Sequence, residues 1–132
     1  MKIANTVFLA ALLALSLACG YSSKATTPAT AGTMPAITTL SPSSATHGDP
    51  AFVLTVTGAN FSGTAVINFA GAAQTTNQVS ATQLTATIAA ADIATAGTVA
   101  VTVTNPAVAG TGAYGSGGTL AETSSPVNFT VN

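Results

Sequence analysis

The chain of 132 residues has very few charged side chains: two lysines, no arginine and three carboxylates, together 4% of the sequence. Soluble domains usually carry about a quarter charged residues. Because nucleic-acid affinity depends on clustered Lys and Arg, this composition excludes a nucleic-acid partner. The chain also has no Trp and only one cysteine, Cys19. An internal disulfide is therefore excluded, and the folded part must be stable through packing and hydrogen bonds.

Small and β-branched residues take the place of the charged ones. Ala, Thr, Gly and Ser make up more than half of the chain, and the formal net charge is only −1. Thr favours pleated sheet, and Gly and Ser favour turns. The high net charge that is typical of disordered chains is missing. The composition therefore indicates a sheet-rich globular protein.

The amino-terminal segment has the pattern of an export signal. Lys2 precedes an apolar run of twelve residues, 7–18, which is shorter than the roughly 20 residues that span a bilayer. The run ends at Ser16-Leu17-Ala18-Cys19, which resembles the lipobox of bacterial lipoproteins, although Ser16 stands where that family prefers Leu. The resemblance implies a helical signal peptide at 1–18 and lipid attachment at Cys19. The alternatives are a cleaved signal with an incidental Cys, or an N-terminal membrane-anchoring helix.

Residues 19–34 are predicted to be the lipidated Cys19 and a flexible linker. The stretch is rich in Ser, Thr, Ala, Gly and Pro and has no hydrophobic period. A flexible chain of this length reaches about 20 Å, enough to lift a domain off a membrane. The lipoprotein resemblance implies a protein exported to the bacterial envelope, and Gly20 after the Cys favours the outer membrane over the inner. We expect no cofactor or metal besides the covalent lipid.

Residues 35–132 alternate apolar and polar side chains with period two, which is typical of strands with one buried face. Seven strands are predicted, at 37–40, 51–58, 65–69, 75–79, 83–88, 97–104 and 126–132. Turn residues separate them, and only 89–96 favours a single helical turn. With 98 residues and no amphipathic helix, this region is predicted to be an all-β sandwich of immunoglobulin size.

The same region resembles the IPT/TIG domain family. The resemblance rests on residues 35–44 and 54–61 at the start, 79–86 in the middle, and 99–106 with 127–131 at the end. It implies an immunoglobulin-like sandwich of the E-set type that spaces, dimerises or binds and has no chemistry of its own. In the G-x-N-F piece, we expect Gly58 to adopt a backbone angle closed to other residues, Asn60 to hydrogen-bond the turn, and Phe61 to plug the sandwich end.

The residues that could carry chemistry form no convincing active site. His47 and Asp49 are the one close His–carboxylate pair, but they lie in a turn and no G-x-S-x-G motif accompanies them, so we interpret them as solvated turn residues. The three carboxylates are too far apart in sequence to suggest a metal site, and Asp92 is expected to cap a turn that begins at Ile93. Tyr114, in the Gly-rich loop 105–125, is a candidate ligand-binding residue; simple disorder of that loop is the alternative.

These observations predict a membrane-anchored envelope lipoprotein that presents one non-catalytic domain for protein binding or a structural role. The alternative is a carbohydrate-binding accessory module at the cell surface, with an aromatic ring such as Tyr114 stacking on sugar. The expected partners are the membrane, through the lipid, and an envelope protein or glycan. Edge strands with almost no Lys also predict weak self-association. The residue inventory disfavours a hydrolase.

Overall fold

The structure is a computed structural model that describes residues 28–112 and 117–132. Cys19, the predicted signal peptide and Tyr114 lie outside the described residues. The described part contains ten strands: β1 (Ala36–Ser41), β2 (Ser44–Ala45), β3 (Phe52–Ala59), β4 (Val66–Phe69), β5 (Ala72–Ala73), β6 (Thr76–Ser80), β7 (Gln83–Ile88), β8 (Gly97–Asn105), β9 (Glu122–Thr123) and β10 (Val127–Val131). A single 3-10 turn, Ala90–Ile93, connects β7 to β8.

The strands form two sheets. One sheet has four antiparallel strands in the order β1-β3-β7-β6. The other has the order β2-β10-β8-β4-β5, and β9 pairs with the carboxyl end of β8. Consecutive strands β1 and β2 belong to different sheets, and β2 runs parallel to β10. The predicted all-β sandwich is confirmed.

The apolar faces of both sheets meet in one core. On β7, Leu84, Ala86 and Ile88 are at most 3% exposed, as the alternation predicts. The ring of Phe129 on β10 lies at the centre, stacked 5.7 Å from the ring of Phe52 and edge-on 5.4 Å from that of Phe69. Each such side chain contributes about 1.5–3 kcal/mol when it leaves water. The domain is therefore stabilised by side-chain packing in the absence of a disulfide.

The outward faces of the long strands are covered by hydroxyl and amide groups rather than by charges. On the six-stranded sheet, Asn68 Nδ2 donates to Thr104 Oγ1 at 2.9 Å, and the hydroxyls of Thr104 and Thr123 lie 2.9 Å apart. Among the described residues the carboxylates are Asp49 and Asp92 in connections and Glu122 in the short β9. Cross-strand pairs of this kind supply the polar surface that a chain with few charges needs.

The sandwich has two ends of different construction. The chain enters at Pro28, and at this entry end lie the start of β1 and the carboxyl ends of β3 and β8. The far end holds residues 46–50 and the 3-10 turn, which are joined by the bond from Gly48 N to Ile93 O at 3.3 Å.

Candidate functional site

A cleft of about 310 Å³ opens at the entry end. It is lined by Gly32 and Thr33 from the entering chain, Asn60, Phe61 and Ser62 from the turn after β3, Asn105 and Pro106 at the end of β8, and Val108, Thr119 and Leu120 from the following loop. Four stretches of the chain, at residues 32–33, 60–62, 105–108 and 119–120, therefore meet here. Concave sites at the loop ends of sandwiches are common binding positions.

The amide of Asn105 joins three of those segments. This side chain is only 6% exposed. Its Nδ2 donates to the carbonyl oxygens of Thr33 and Asn60, both at 2.8 Å, and its Oδ1 accepts from Ser62 N at 3.0 Å. Both amide hydrogens are thus used within the protein. Asn105 holds the cleft together and has no donor left for a ligand.

The turn after β3 depends on a close approach at Gly58. A Cβ atom there would collide with the carbonyl oxygen of Ala36 and lie 2.6 Å from the ring of Phe61. Phe61 is 4% exposed and closes the end of the core, as expected. The expectation for Gly58 was wrong in its cause: its φ is not positive, and Asn60 takes the left-handed conformation instead, with φ 64°. Lack of space, not backbone angle, requires glycine at this position.

The entering chain pairs with the long loop that follows β8. Thr30 N donates to Gly118 O at 2.9 Å, and Leu120 N donates to Thr30 O at 3.0 Å. Within the loop, Val108 and Thr119 exchange two backbone bonds of 3.0 and 2.9 Å. Val108 and residues 118–120 are therefore joined to one another and to the entering chain. Thr30, within the predicted linker, is part of the same ladder.

Three large apolar side chains at the entry end are exposed, and we call them the apolar rim: Val108 and Leu120, which line the cleft, and Met34, which lies just before β1. They are 58%, 53% and 56% exposed, respectively. Among the described residues, two other large apolar side chains, Val53 and Val79, are as exposed. The cleft also contains the hydroxyl of Ser62, which is buried without a hydrogen-bond partner among the described residues. Three of the five exposed apolar side chains thus lie at one end of the domain.

The pair His47 and Asp49 lies at the far end, away from the cleft. His47 Nδ1 lies 2.8 Å from the carbonyl oxygen of Asn132, which also accepts from His47 N. Asp49 Oδ2 accepts from Thr46 N at 2.9 Å. The His47 side chain therefore contacts the backbone of Asn132, and the Asp49 side chain bonds to the backbone of its own turn.

Asp92 caps its turn from a different position than the sequence suggested. The turn begins at Ala90, so Asp92 lies inside it rather than ahead of it. Its Oδ2 accepts from Ala89 N at 3.3 Å and from Gln74 Nε2 at 3.5 Å. The expectation that Asp92 precedes a turn starting at Ile93 was wrong, because the first residues of the turn are alanines that carry no start signal.

The described ranges, 28–112 and 117–132, lack two features. No group of three or more His, Cys, Asp or Glu side chains in them could hold a metal ion. No helix within these ranges is both long and apolar enough to cross a membrane. Lipid attachment at Cys19 and ligand binding at Tyr114 stay predictions.

Two packed, largely antiparallel sheets with a buried aromatic centre and loops at the ends define an immunoglobulin-like β-sandwich. The family model of the IPT/TIG domain matches residues 35–131, so the chain belongs to the IPT/TIG domain family. Such domains are generally non-catalytic modules. Comparison with curated proteins and with solved structures found no match.

Sequence patterns did not reveal the role of Asn105. The one local signal is an Asn-Pro pair directly after a long apolar strand, which indicates only the end of that strand. Its partners are 72, 45 and 43 residues away. A role of this kind becomes visible only when the segments are brought together.

Proposed function

We propose that the chain is an exported bacterial lipoprotein, anchored through lipid on Cys19, which presents one IPT/TIG domain as a non-catalytic module for protein binding or a structural role. The proposal is carried by one observation. A twelve-residue apolar run ending at the only Cys is followed, after a short polar stretch, by a family match that covers 35–131. The pattern of an export and lipid-attachment signal is thus followed, in the same chain, by a domain of a class that presents surfaces for binding.

The construction of the entry end supports a module that presents surfaces rather than one that encloses a small ligand. The cleft is near the lower limit of the roughly 300–1,000 Å³ of small-molecule sites. The buried side-chain amide of Asn105 donates both of its hydrogens to the backbone oxygens of Thr33 and Asn60. The two broad outer sheet faces offer Thr and Asn groups that a protein partner can hydrogen-bond.

A lipid anchor would hold a domain with so few charged side chains at the membrane. Each buried acyl CH₂ contributes about 0.8 kcal/mol, so several chains on one residue hold a protein at the membrane durably. The described residues contain no Lys or Arg that could attract anionic lipid, and a single Lys near a membrane contributes only about 1 kcal/mol, far less than an acyl chain. The envelope, with the outer membrane favoured, is the location that this proposal implies.

Radioactive palmitate labelling of the full chain in a bacterium that processes lipoproteins tests the anchor. The parent protein is expected to take up label and to sediment with membranes, and Cys19→Ser is expected to lose both. Ser16→Leu is the matched control, because it restores the residue that the lipobox prefers and should label at least as well as the parent. Equal label in the parent and in Cys19→Ser would refute lipidation at Cys19.

Photo-cross-linking in cells tests the presented surface. A cross-linking residue is introduced into the full chain at Val53, on the outer face of the four-stranded sheet, or at Asn128, on that of the six-stranded sheet. Both side chains are exposed. A binding module is expected to give a discrete envelope-protein adduct from one face and not from the other. The absence of adducts from both faces would leave the structural role and contradict protein binding through the sheets.

A further inference from the structure

The apolar rim lies where the chain enters the domain. Leu120 is fixed by its backbone bond to Thr30, and Val108 by its two bonds to Thr119. Met34 is held through its carbonyl oxygen, which accepts from Asn60 Nδ2 at 3.4 Å. Single exposed apolar side chains are ordinary, but three that are more than half exposed at the same end of a domain, two of them lining one cleft, form a patch there. Their positions are set by backbone pairing, so they are presented at a defined place.

Chain length limits how far this patch can be from Cys19. Eight residues, 20–27, separate Cys19 from Pro28, which is two residues from the paired Thr30. Even a fully extended chain of that length spans only about 30 Å. The far end is a further strand length away, about 25 Å along an eight-residue strand such as β3. The entry end is therefore the part of the domain that is nearest to Cys19 along the chain.

The distribution of charge favours the same orientation. Asp49 and Asp92 lie at the far end, and the half-buried Glu122 is the one carboxylate at the entry end within the described ranges. Anionic headgroups repel carboxylates. The described residues contain no Lys or Arg that could attract such headgroups, so what these residues can offer to lipid is apolar contact.

We propose that the apolar rim of Met34, Val108 and Leu120 rests in the boundary between headgroups and acyl chains, so that the anchored domain stands with its far end toward water. This inference rests on the proposed lipid anchor at Cys19. Exposed apolar side chains on a peripheral protein bind at this depth when another element already holds the protein to the membrane. The rim orients the domain, and the lipid retains it.

The absence of Trp from the chain allows a direct test, because an introduced Trp is the sole indole. The lipidated full chain is reconstituted into phosphatidylethanolamine–phosphatidylglycerol vesicles, with or without brominated acyl chains. Leu120→Trp and Val108→Trp are expected to show blue-shifted emission and several-fold quenching by brominated lipid. Val53→Trp is the matched control, since Val53 is 56% exposed but lies on a sheet face toward the far end; it should show neither effect.

The outcomes separate this inference from the anchor on which it rests. Co-flotation with vesicles reports the anchor alone, and a parent chain that does not float would overturn both proposals. If the chains float but Leu120→Trp and Val108→Trp emit as Val53→Trp does, the anchor stands and the orientation is refuted. Equal quenching of all three variants would also refute it, because the domain would then lie on its side.

Discussion

The entry end and the far end of the sandwich are stabilised in different ways. At the entry end, one buried amide and one close backbone approach join segments that are distant in sequence, through Asn105 and Gly58. At the far end, turns are closed by backbone bonds and by half-buried carboxylates such as Asp92. Stability at the entry end is therefore concentrated in Asn105 and Gly58, whereas at the far end it is spread over several bonds at exposed or half-buried groups.

Alanine substitution of one glycine at each end tests this difference most strongly. In Gly58→Ala, the new methyl group would collide with the backbone oxygen of Ala36 and with the Phe61 ring, and we expect a loss of about 3 kcal/mol in the free energy of unfolding. In Gly48→Ala, nothing lies within 4 Å of the new methyl group, and the cost is that of a positive φ, about 1 kcal/mol. Urea denaturation of both variants measures the two losses.

The relative size of the two losses in unfolding free energy tests whether the entry end is more tightly packed than the far end. Equal losses would mean that the backbone between β3 and Phe61 relaxes freely, and that the entry end is no more tightly packed than the far end. A larger loss in Gly48→Ala would reverse the comparison.

Removal of the Asn105 side chain is expected to have the next largest effect. Asn105→Ala leaves the oxygens of Thr33 and Asn60 and the amide of Ser62 without their partner, and the cost should be about 2–3 kcal/mol. Asn128→Ala, at an exposed position on β10, is the control and should change stability by less than about 0.5 kcal/mol. Thermal unfolding of both variants measures this difference, and similar melting temperatures would contradict the role assigned to Asn105.

The smallest effect is expected at the far end. Asp92→Ala removes the acceptor of Ala89 N and Gln74 Nε2, which should cost about 0.5–1 kcal/mol. Asp92→Asn keeps an oxygen at this position and should recover most of that loss. Hydrogen exchange of the Ala89 amide reports the bond itself, and unchanged protection in Asp92→Ala would show that the cap contributes nothing.

The long strands were predictable because their alternation is local. The predicted strand 83–88 coincides with β7, since Leu84, Ala86 and Ile88 mark the buried face without reference to any other segment. Strands β2, β5 and β9 have only two residues each, and a period cannot be read from two residues. They form because longer neighbours such as β10 and β8 offer free edges beside them.

The entry end was predictable only in part. The G-x-N-F piece predicted that Phe61 closes the end of the sandwich, and its burial confirms this. The pairing of Thr30 with residues 118 and 120 was not foreseen, because the segment around Thr30 has no hydrophobic period and reads as linker. Its partner lies almost ninety residues further along the chain, so the strand-like bonds at Thr30 have no local cause.

By itself, the sequence determined the fold class, the inward face of each long strand and the lack of any disulfide, because these follow from composition and from patterns within a few residues. Only the tertiary structure decided that Asn105 holds the entry end, that Gly58 is required by space, and that Met34, Val108 and Leu120 form one rim. Those facts depend on distances between segments separated by tens of residues. Such distances are set by sheet register and packing of the whole domain, and no local pattern encodes them.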